Sequence, residues 1–333
     1  TDLWFRLSQE DTTKPFLTSV QPLADRHVQV RFSEPLDSIT FQNASFTIVD
    51  TLKLKPVAIM LGSLSRVTPT MVDLITEGSL DSGVVYRVGV KRIFDRVGNP
   101  MDSSHAAMDF VGVGIRDTMR AVPSVQGVSD SARGIAIEQV FEIGFSKPVL
   151  HQPLSNSITL RDSTKSVVPS SLRWLNASDV QLAPVAPLKS KAWYQIRVVL
   201  DSVRDYFGNR WKDSIWSVRF QSIDLRTTGT VDGVVVDEAK ERGRGMIYVT
   251  VTSVDVSPPR EKILHLIKAG AFSVDRLPEG RYTFSGFRDA DSSGNFSFGQ
   301  PFPFVPSERF AVSSDTVKVR ARWGVEGVVL KFK

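Results

Sequence analysis

The chain has 333 residues, 41% hydrophobic and 23% charged, which is the balance of a folded globular protein rather than a disordered one. Lys and Arg number 41 against 36 Asp and Glu; this net +5 is spread along the chain, unlike the clustered basic stripe of a nucleic-acid binder. Cys is absent, which excludes disulfides, zinc thiolate sites and Cys nucleophiles together, and no run of about 18 apolar residues is available to span a membrane.

At roughly 100–150 residues per domain the length predicts two or three domains. The chain opens on Thr1 rather than Met, and Thr1-Asp-Leu-Trp-Phe-Arg lacks a basic-then-apolar signal pattern. The expectation is a processed chain or an excised fragment, with residues 1–10 the tail of an upstream segment. The lack of Cys is compatible with an extracytoplasmic location, where a missing N-terminal lipid anchor would attach the chain to a membrane.

Alternating apolar and polar residues dominate the chain. Val28, Val30 and Phe32 alternate with Gln29 and Arg31; Tyr86, Val88 and Val90 alternate with Arg87, Gly89 and Lys91. Val317, Val319, Ala321 and Trp323 alternate in the same way with Lys318, Arg320 and Arg322. Each run predicts a strand with one buried and one wet face. Helical spacing is scarce: its best candidate, Lys262–Lys268, fits a strand almost as well. Turn residues recur at intervals of about ten, which favours sandwiches or small barrels over βαβ units.

An internal repeat organises the first two thirds. Phe32-Ser-Glu34-Pro35-Leu-Asp and then Ser38-Ile-Thr in copy one correspond to Phe145-Ser-Lys147-Pro148-Val-Leu and then Ser157-Ile-Thr in copy two. Tyr86-Arg-Val-Gly-Val and Asp95-Arg-Val-Gly98-Asn99 correspond to Tyr194-Gln-Ile-Arg-Val and Asp205-Tyr-Phe-Gly208-Asn209. Asp11-Thr12 and Asp117-Thr118 open the two copies. The spacing stays near about 110 residues throughout, the size of one small sandwich. Phe32 and Phe145 are expected in the core. Pro35 and Pro148 stop the strand, since proline cannot donate to a ladder. Gly98-Asn99 and Gly208-Asn209 tolerate the positive φ of a tight turn, across which Asp95 and Asp205 accept backbone N–H groups.

The combination F-S-[EK]-P, S-I-T, Y-x-[VI]-x-V and D-x-x-G-N resembles the bacterial Ig-like domain of surface-layer proteins and of many surface lipoproteins of the Bacteroidetes and their relatives. Copy two departs from it with Lys147 in the place of Glu34 and Arg210 in the place of Pro100. The resemblance implies seven-stranded Greek-key sandwiches used as spacers, scaffolds or adhesion modules, without an active site. From about Thr227 the pattern changes. Gly270-Ala-Phe272 followed by Leu277-Pro-Glu-Gly280-Arg-Tyr282 resembles the prealbumin-like β-sandwich of carboxypeptidase regulatory domains; no zinc-peptidase motif accompanies it. The expected architecture is all-β, an elongated string of three β-sandwich domains: Ig-like over 11–113 and 114–224, prealbumin-like over 225–333.

Asp289-Ala-Asp291-Ser-Ser293-Gly294-Asn295-Phe-Ser297-Phe-Gly-Gln300 places oxygen ligands at alternate positions with Gly at the sharp turn, as a Ca²⁺ loop requires. Asp289, Asp291 and Ser293 fill the first three ligand places, the backbone of Asn295 the fourth, and Ser297 one reached through water. Gln300 stands where a bidentate Glu is needed, so a bound Ca²⁺ would be held weakly. The competing reading is a polar hairpin in which Asp289 and Asp291 cap backbone N–H groups. Ca²⁺ is the only cofactor the residues point to.

His27, His105, His151 and His265 each stand alone in sequence, and no H-E-x-x-H, G-x-S-x-G or phosphate-loop motif occurs. No catalytic residue is assigned. Trp174, Trp193, Trp211 and Trp216 all fall in copy two. Trp193 precedes the core residue Tyr194 and therefore faces outward, so Trp193 and Trp211 are the candidate binding surface, set against plain packing between domains or strands. The Arg242-Gly-Arg244 turn reads as a solvated hairpin tip. The expected function is non-enzymatic: an extracytoplasmic structural or interaction module of a bacterial cell-surface or outer-membrane-associated protein, binding a protein partner. The alternatives are a carbohydrate-binding or adhesion protein, and the accessory region of a larger secreted hydrolase.

Overall fold

The computed structural model describes residues 11–154, 157–238, 244–256, 259–301 and 304–332. The expectations for residues 1–10 and for most of the Arg242-Gly-Arg244 turn lie outside them. The described residues are strands, joined by loops and short 3-10 turns. The all-β sandwich class read from the alternating runs therefore holds. Of Lys262–Lys268, residues 262–266 are strand, within Glu261–Leu266, and Ile267 and Lys268 lie in the bend that follows. The strand's alternating exposed and half-buried residues fit a two-faced ribbon better than a helix.

The chain forms two compact units, Asp11–Ser222 and, from Ile223 onward, the remainder. In the first unit copy one is a sandwich of two antiparallel four-stranded sheets. One runs Leu17–Ala24, His27–Phe32, Met71–Thr76, Ile59–Leu64; the other runs Pro56–Val57, Ser45–Asp50, Val85–Lys91, Ala107–Val111. Between them lie Val28, Val30, Phe32, Ile48, Val72, Leu74, Tyr86 and Val88, all within 3% of full burial. Copy two repeats this order with one change. Its opening strand splits into Pro123–Val125 and Ala132–Ile135, and the second piece crosses to the other sheet, where it pairs in parallel with Ile215–Ser222. Gly127 and Gly134, both at φ +70°, sit at the split.

The shared motifs have the same physical duties in both copies. The Tyr86 hydroxyl accepts the Asp81 N–H at 2.9 Å, and the Tyr194 hydroxyl accepts the Lys189 N–H at 2.8 Å. Each ties a strand to its preceding loop in the manner of the tyrosine corner of Ig-like sandwiches. The two copies also touch. Asp25 N–H donates to the Ile115 carbonyl at 2.8 Å, the His27 and Phe207 rings lie 5.5 Å apart, and Asn176 donates to the Leu64 carbonyl at 3.3 Å.

The second unit is a two-sheet sandwich. Gly270–Pro278, Thr228–Asp237 and Gly324–Phe332 form one sheet; Glu261–Leu266, Met246–Ser253, Gly280–Asp289 and Phe310–Val312 form the other, with Val317–Val319 also pairing Gly280–Asp289. Its core holds Val231, Val235, Ile247, Val249, Val251, Phe272, Val274, Phe284, Leu330 and Phe332. Gly233 is needed there, because a Cβ would come within 2.4 Å of the Phe272 ring.

Candidate metal loop and aromatic face of the second unit

Strand Gly280–Asp289 alternates its side chains: Tyr282, Phe284, Gly286 and Arg288 point inward, Phe287 outward. Arg288 is buried, and its guanidinium is satisfied by the Asp237 carboxylate at 2.7 Å and the Gly245 carbonyl at 2.9 Å. Asp289 ends the strand, also buried at 3% exposure. The chain then turns sharply, with Ser292 at φ +61° and Gly294 at φ +75°.

Inside this loop the Asp289 carboxylate accepts the Ser293 N–H at 2.9 Å and the Gly294 N–H at 3.0 Å. Asp291 accepts the Ser293 N–H at 2.9 Å and the Ser297 hydroxyl at 2.6 Å. The Ser297 and Ser293 hydroxyls hold the Asp291 carboxyl at about 2, well below the usual carboxylate range. The Ser293 hydroxyl donates to the Asn295 carbonyl at 2.9 Å. Asp289 and Asp291 thus cap backbone N–H groups, as in the hairpin reading, and Ser293 and Asn295 bond to each other on the same turn.

The acid that the sequence pattern places at Gln300 arrives from elsewhere. Gln300 begins the two-residue strand Gln300–Pro301, whereas Glu308 folds back beneath the loop at 7% exposure. Glu308 accepts the Ala290 N–H at 2.6 Å and the Ser297 N–H at 3.1 Å, while its own N–H donates to the Ser297 carbonyl at 2.9 Å. A carboxylate oxygen from each of Asp289, Asp291 and Glu308 lies within 4.8 Å of the other two. Every donor is oxygen, the set a hard cation such as Ca²⁺ takes, and it contains no thiolate or imidazole for Zn²⁺.

Beside the loop the outer face of the same sheet is aromatic. Tyr248 stacks on Phe287, with centroids 4.9 Å apart and planes 7° apart, and His265 leans on Tyr248 at 4.5 Å. Phe296 sets its edge against Phe287, Phe298 and Phe310 at 5.8, 4.8 and 5.5 Å. Phe298 is 81% exposed, and Phe310, Ile263 and Val312 are each more than half exposed. The loop folds close to the Tyr248 hydroxyl at Gly294. The segment that holds the carboxylates is therefore the one that carries Phe296 and Phe298. Sequence reading missed this face because its Phe and Tyr residues look like core positions until the sheet's two sides are assigned.

In copy two Trp193 is half-buried on the side of its strand opposite Tyr194, with the guanidinium groups of Arg219 and Arg133 over its ring at 4.7 and 5.7 Å. Trp211 donates its indole N–H to the Ala121 carbonyl at 2.8 Å and lies under Arg120. Trp174 stacks on His151 at 3.7 Å. A Ser/His/Asp group occurs at Asp102, Ser104 and His105, but its geometry is a cap. Ser104 and Asp102 both contact the same ring nitrogen, Nδ1, whereas a relay needs its nucleophile on Nε2. Asp102 also accepts the Ser104 N–H, closing a 3-10 turn.

Residues 121–221 match the family described as bacterial Ig-like domain. No curated protein sequence matches the chain. Among solved structures, the chain is similar to the N-terminal part of the bacterial S-layer protein SbsC, at 13% identity over 65% of this chain and 45% of that one, with a TM-score of 0.28. It is similar to domains 1–6 of surface layer protein SbsC at 11% identity over 96% of this chain and 55% of that one, TM-score 0.28. An L,D-transpeptidase from Mycobacterium smegmatis is similar at 11% identity over 64% of this chain and 89% of that one, TM-score 0.27. The chain spans about half the length of the two surface-layer chains.

Proposed function

We propose that the chain is a non-catalytic, extracytoplasmic module of a bacterial cell-surface protein, associated with the outer membrane. Its first unit serves as a tandem Ig-like support. Its third domain, a sandwich of the prealbumin-like type, binds a protein partner. The observation that carries this reading is the exposed aromatic face of Phe296, Phe298, Phe310 and Phe287 around Tyr248. Rigid aromatic anchors of this kind supply most of the energy in protein interfaces. Glu261–Leu266 lies at the open edge of the same sheet, so an extended segment of the partner can add as a strand and set side chains against the aromatic rings. The family match over residues 121–221 supports a non-enzymatic role.

Ca²⁺ at Asp289, Asp291, Ser293, the Asn295 carbonyl and Glu308 would fix the loop that presents Phe296 and Phe298, and would take no part in chemistry. The test is binding of the purified full chain to isolated bacterial envelopes. Phe298→Asp with Phe310→Asp should weaken binding at least about ten-fold, because each buried aromatic anchor is worth 2 kcal/mol or more. Trp193→Ala should leave it unchanged. Undiminished binding by the double variant overturns the assignment. Loss in Trp193→Ala, or competition by soluble envelope glycan, favours carbohydrate recognition instead.

A further inference from the structure

The two Ig-like copies contain the same corner, and in copy two it is occupied by a cation of the protein's own. Asp205 opens the tight turn Asp205–Asn209. Its Oδ1 accepts the Phe207 and Asn209 N–H groups at 2.9 and 2.8 Å, and its Oδ2 accepts the Asn209 amide at 2.9 Å. The same amide reaches the Asp117 carbonyl at 3.1 Å, tying the opening of the domain to the turn. Into this corner Lys147 inserts its ammonium. Its Nζ lies 2.6 Å from both Asp117 carboxylate oxygens, 2.6 Å from the Met119 carbonyl and 3.5 Å from Asp205 Oδ2. Lys147 and Asp205 are buried, so the charges compensate one another away from solvent.

Copy one builds this corner bond for bond. Asp95 Oδ1 accepts the Val97 and Asn99 N–H groups at 3.0 and 2.8 Å, its Oδ2 accepts the Asn99 amide at 2.9 Å, and that amide reaches the Asp11 carbonyl at 2.8 Å. Asp11 caps the Thr13 N–H at 3.0 Å as Asp117 caps Met119 at 2.9 Å. Leu36 bridges to Asp95 as Val149 bridges to Asp205. At the position that faces these carboxylates, Glu34 stands where Lys147 stands. The carboxylates of Asp11, Glu34 and Asp95 each place an oxygen within 4.8 Å of the other two. Among the described residues none of the three pairs with a Lys, Arg or His.

We infer that copy one binds a divalent metal ion, Ca²⁺, at Asp11, Glu34 and Asp95, in the position that the Lys147 ammonium fills in copy two. The two aspartates that hold a built-in cation in one repeat are present in the other, with the lysine exchanged for a third oxygen ligand. The Thr13 carbonyl is the counterpart of the Met119 carbonyl that contacts Lys147. Carboxylate and carbonyl oxygens of this number and charge are what Ca²⁺ takes, and Asp11 is exposed, which leaves a side of the site for water ligands. The assignment is independent of the partner surface proposed for the third domain.

The experiment is calorimetric titration of CaCl₂ into the full chain carrying Asp291→Asn, which silences the third-domain loop. That protein should bind one Ca²⁺. Adding Glu34→Lys should abolish binding while the chain melts in chelator no lower than its parent, because the substitution supplies the cation that copy two already has. Adding Glu34→Gln should weaken binding at least about ten-fold, since carboxylate count sets affinity. Adding Lys147→Glu should create a second site. The inference is overturned if the Asp291→Asn chain takes up no Ca²⁺ at millimolar concentration. It is equally overturned if Glu34→Gln and Glu34→Lys bind as their parent does. Should Glu34→Lys fail to fold, Glu34→Gln decides the matter alone.

Discussion

The corner at Asp95 and the corner at Asp205 share their turn, their asparagine clamp and their bridge to the neighbouring strand, and differ in the sign of the charge that faces their carboxylates. The comparison separates two kinds of work. The backbone bonds set the shape of the corner and are indifferent to what fills it; the residue at Glu34 or Lys147 decides whether the filling is built in or taken from solution. A fold can thus keep a scaffold constant across tandem copies while making the stability of one copy depend on its surroundings.

The most severe way to break this comparison is to remove the built-in cation. Lys147→Ala leaves Asp117 and the fully buried Asp205 side chain without compensation, so the first unit should lose about 3–5 kcal/mol in denaturant unfolding. A change under about 1 kcal/mol, the range of an exposed ion pair, would mean that the ammonium does not compensate the corner. The same measurement sharpens the shared part of the account. Tyr86→Phe and Tyr194→Phe each delete one hydrogen bond to a backbone N–H and should each cost about 1 kcal/mol, alike in the two copies. Unequal losses would show that the repeats differ in more than charge.

Smaller effects are expected outside the corner. Phe298→Ala removes a ring that is 81% exposed and should move the stability of the second unit by less than about 0.5 kcal/mol, so any loss of envelope binding reports on contact and not on folding. The smallest effect is at the Asp102 cap. His105 first, then Ser104, hold the Asp102 carboxyl down to about 2 from an unfolded value near 3.8. A depressed carboxyl contributes stability that is present above the unfolded value and lost as pH falls through the folded one. Asp102→Asn should therefore melt slightly below wild type at pH 5–6, with the two curves converging as pH approaches 2. A gap that persists at pH 2 would exclude the carboxylate as its source.

Much of the fold was legible in the sequence because the signals are local. Alternation put Val28, Val30 and Phe32 in the core, and Gly98-Asn99 and Gly208-Asn209 marked the turns that Asp95 and Asp205 close. The repeat was legible because the same local signals recur in the same order. Half of the candidate cation loop was equally local: Asp289, Asp291 and Ser293 lie on one turn. Glu308 was not, since it reaches the loop by chain reversal and no spacing rule announces it. The aromatic face was hidden for a related reason, because Tyr248, Phe287, Phe296 and Phe310 come from separate segments that only the sheet brings together. For the Asp11, Glu34 and Asp95 corner the signal was present in the exchange of Glu34 for Lys147. Its meaning required knowing that Asp117 and Asp205 converge on that lysine.

Hydrogen exchange of the full chain, followed by mass spectrometry in Ca²⁺ and in chelator, tests the central comparison most directly. Ca²⁺ should slow exchange in peptides covering 11–15, 33–37 and 95–99, while the peptides around Lys147 and 205–209 exchange alike in both buffers. Equal protection of the two corners regardless of Ca²⁺, or a Ca²⁺ response in copy two, would contradict the account.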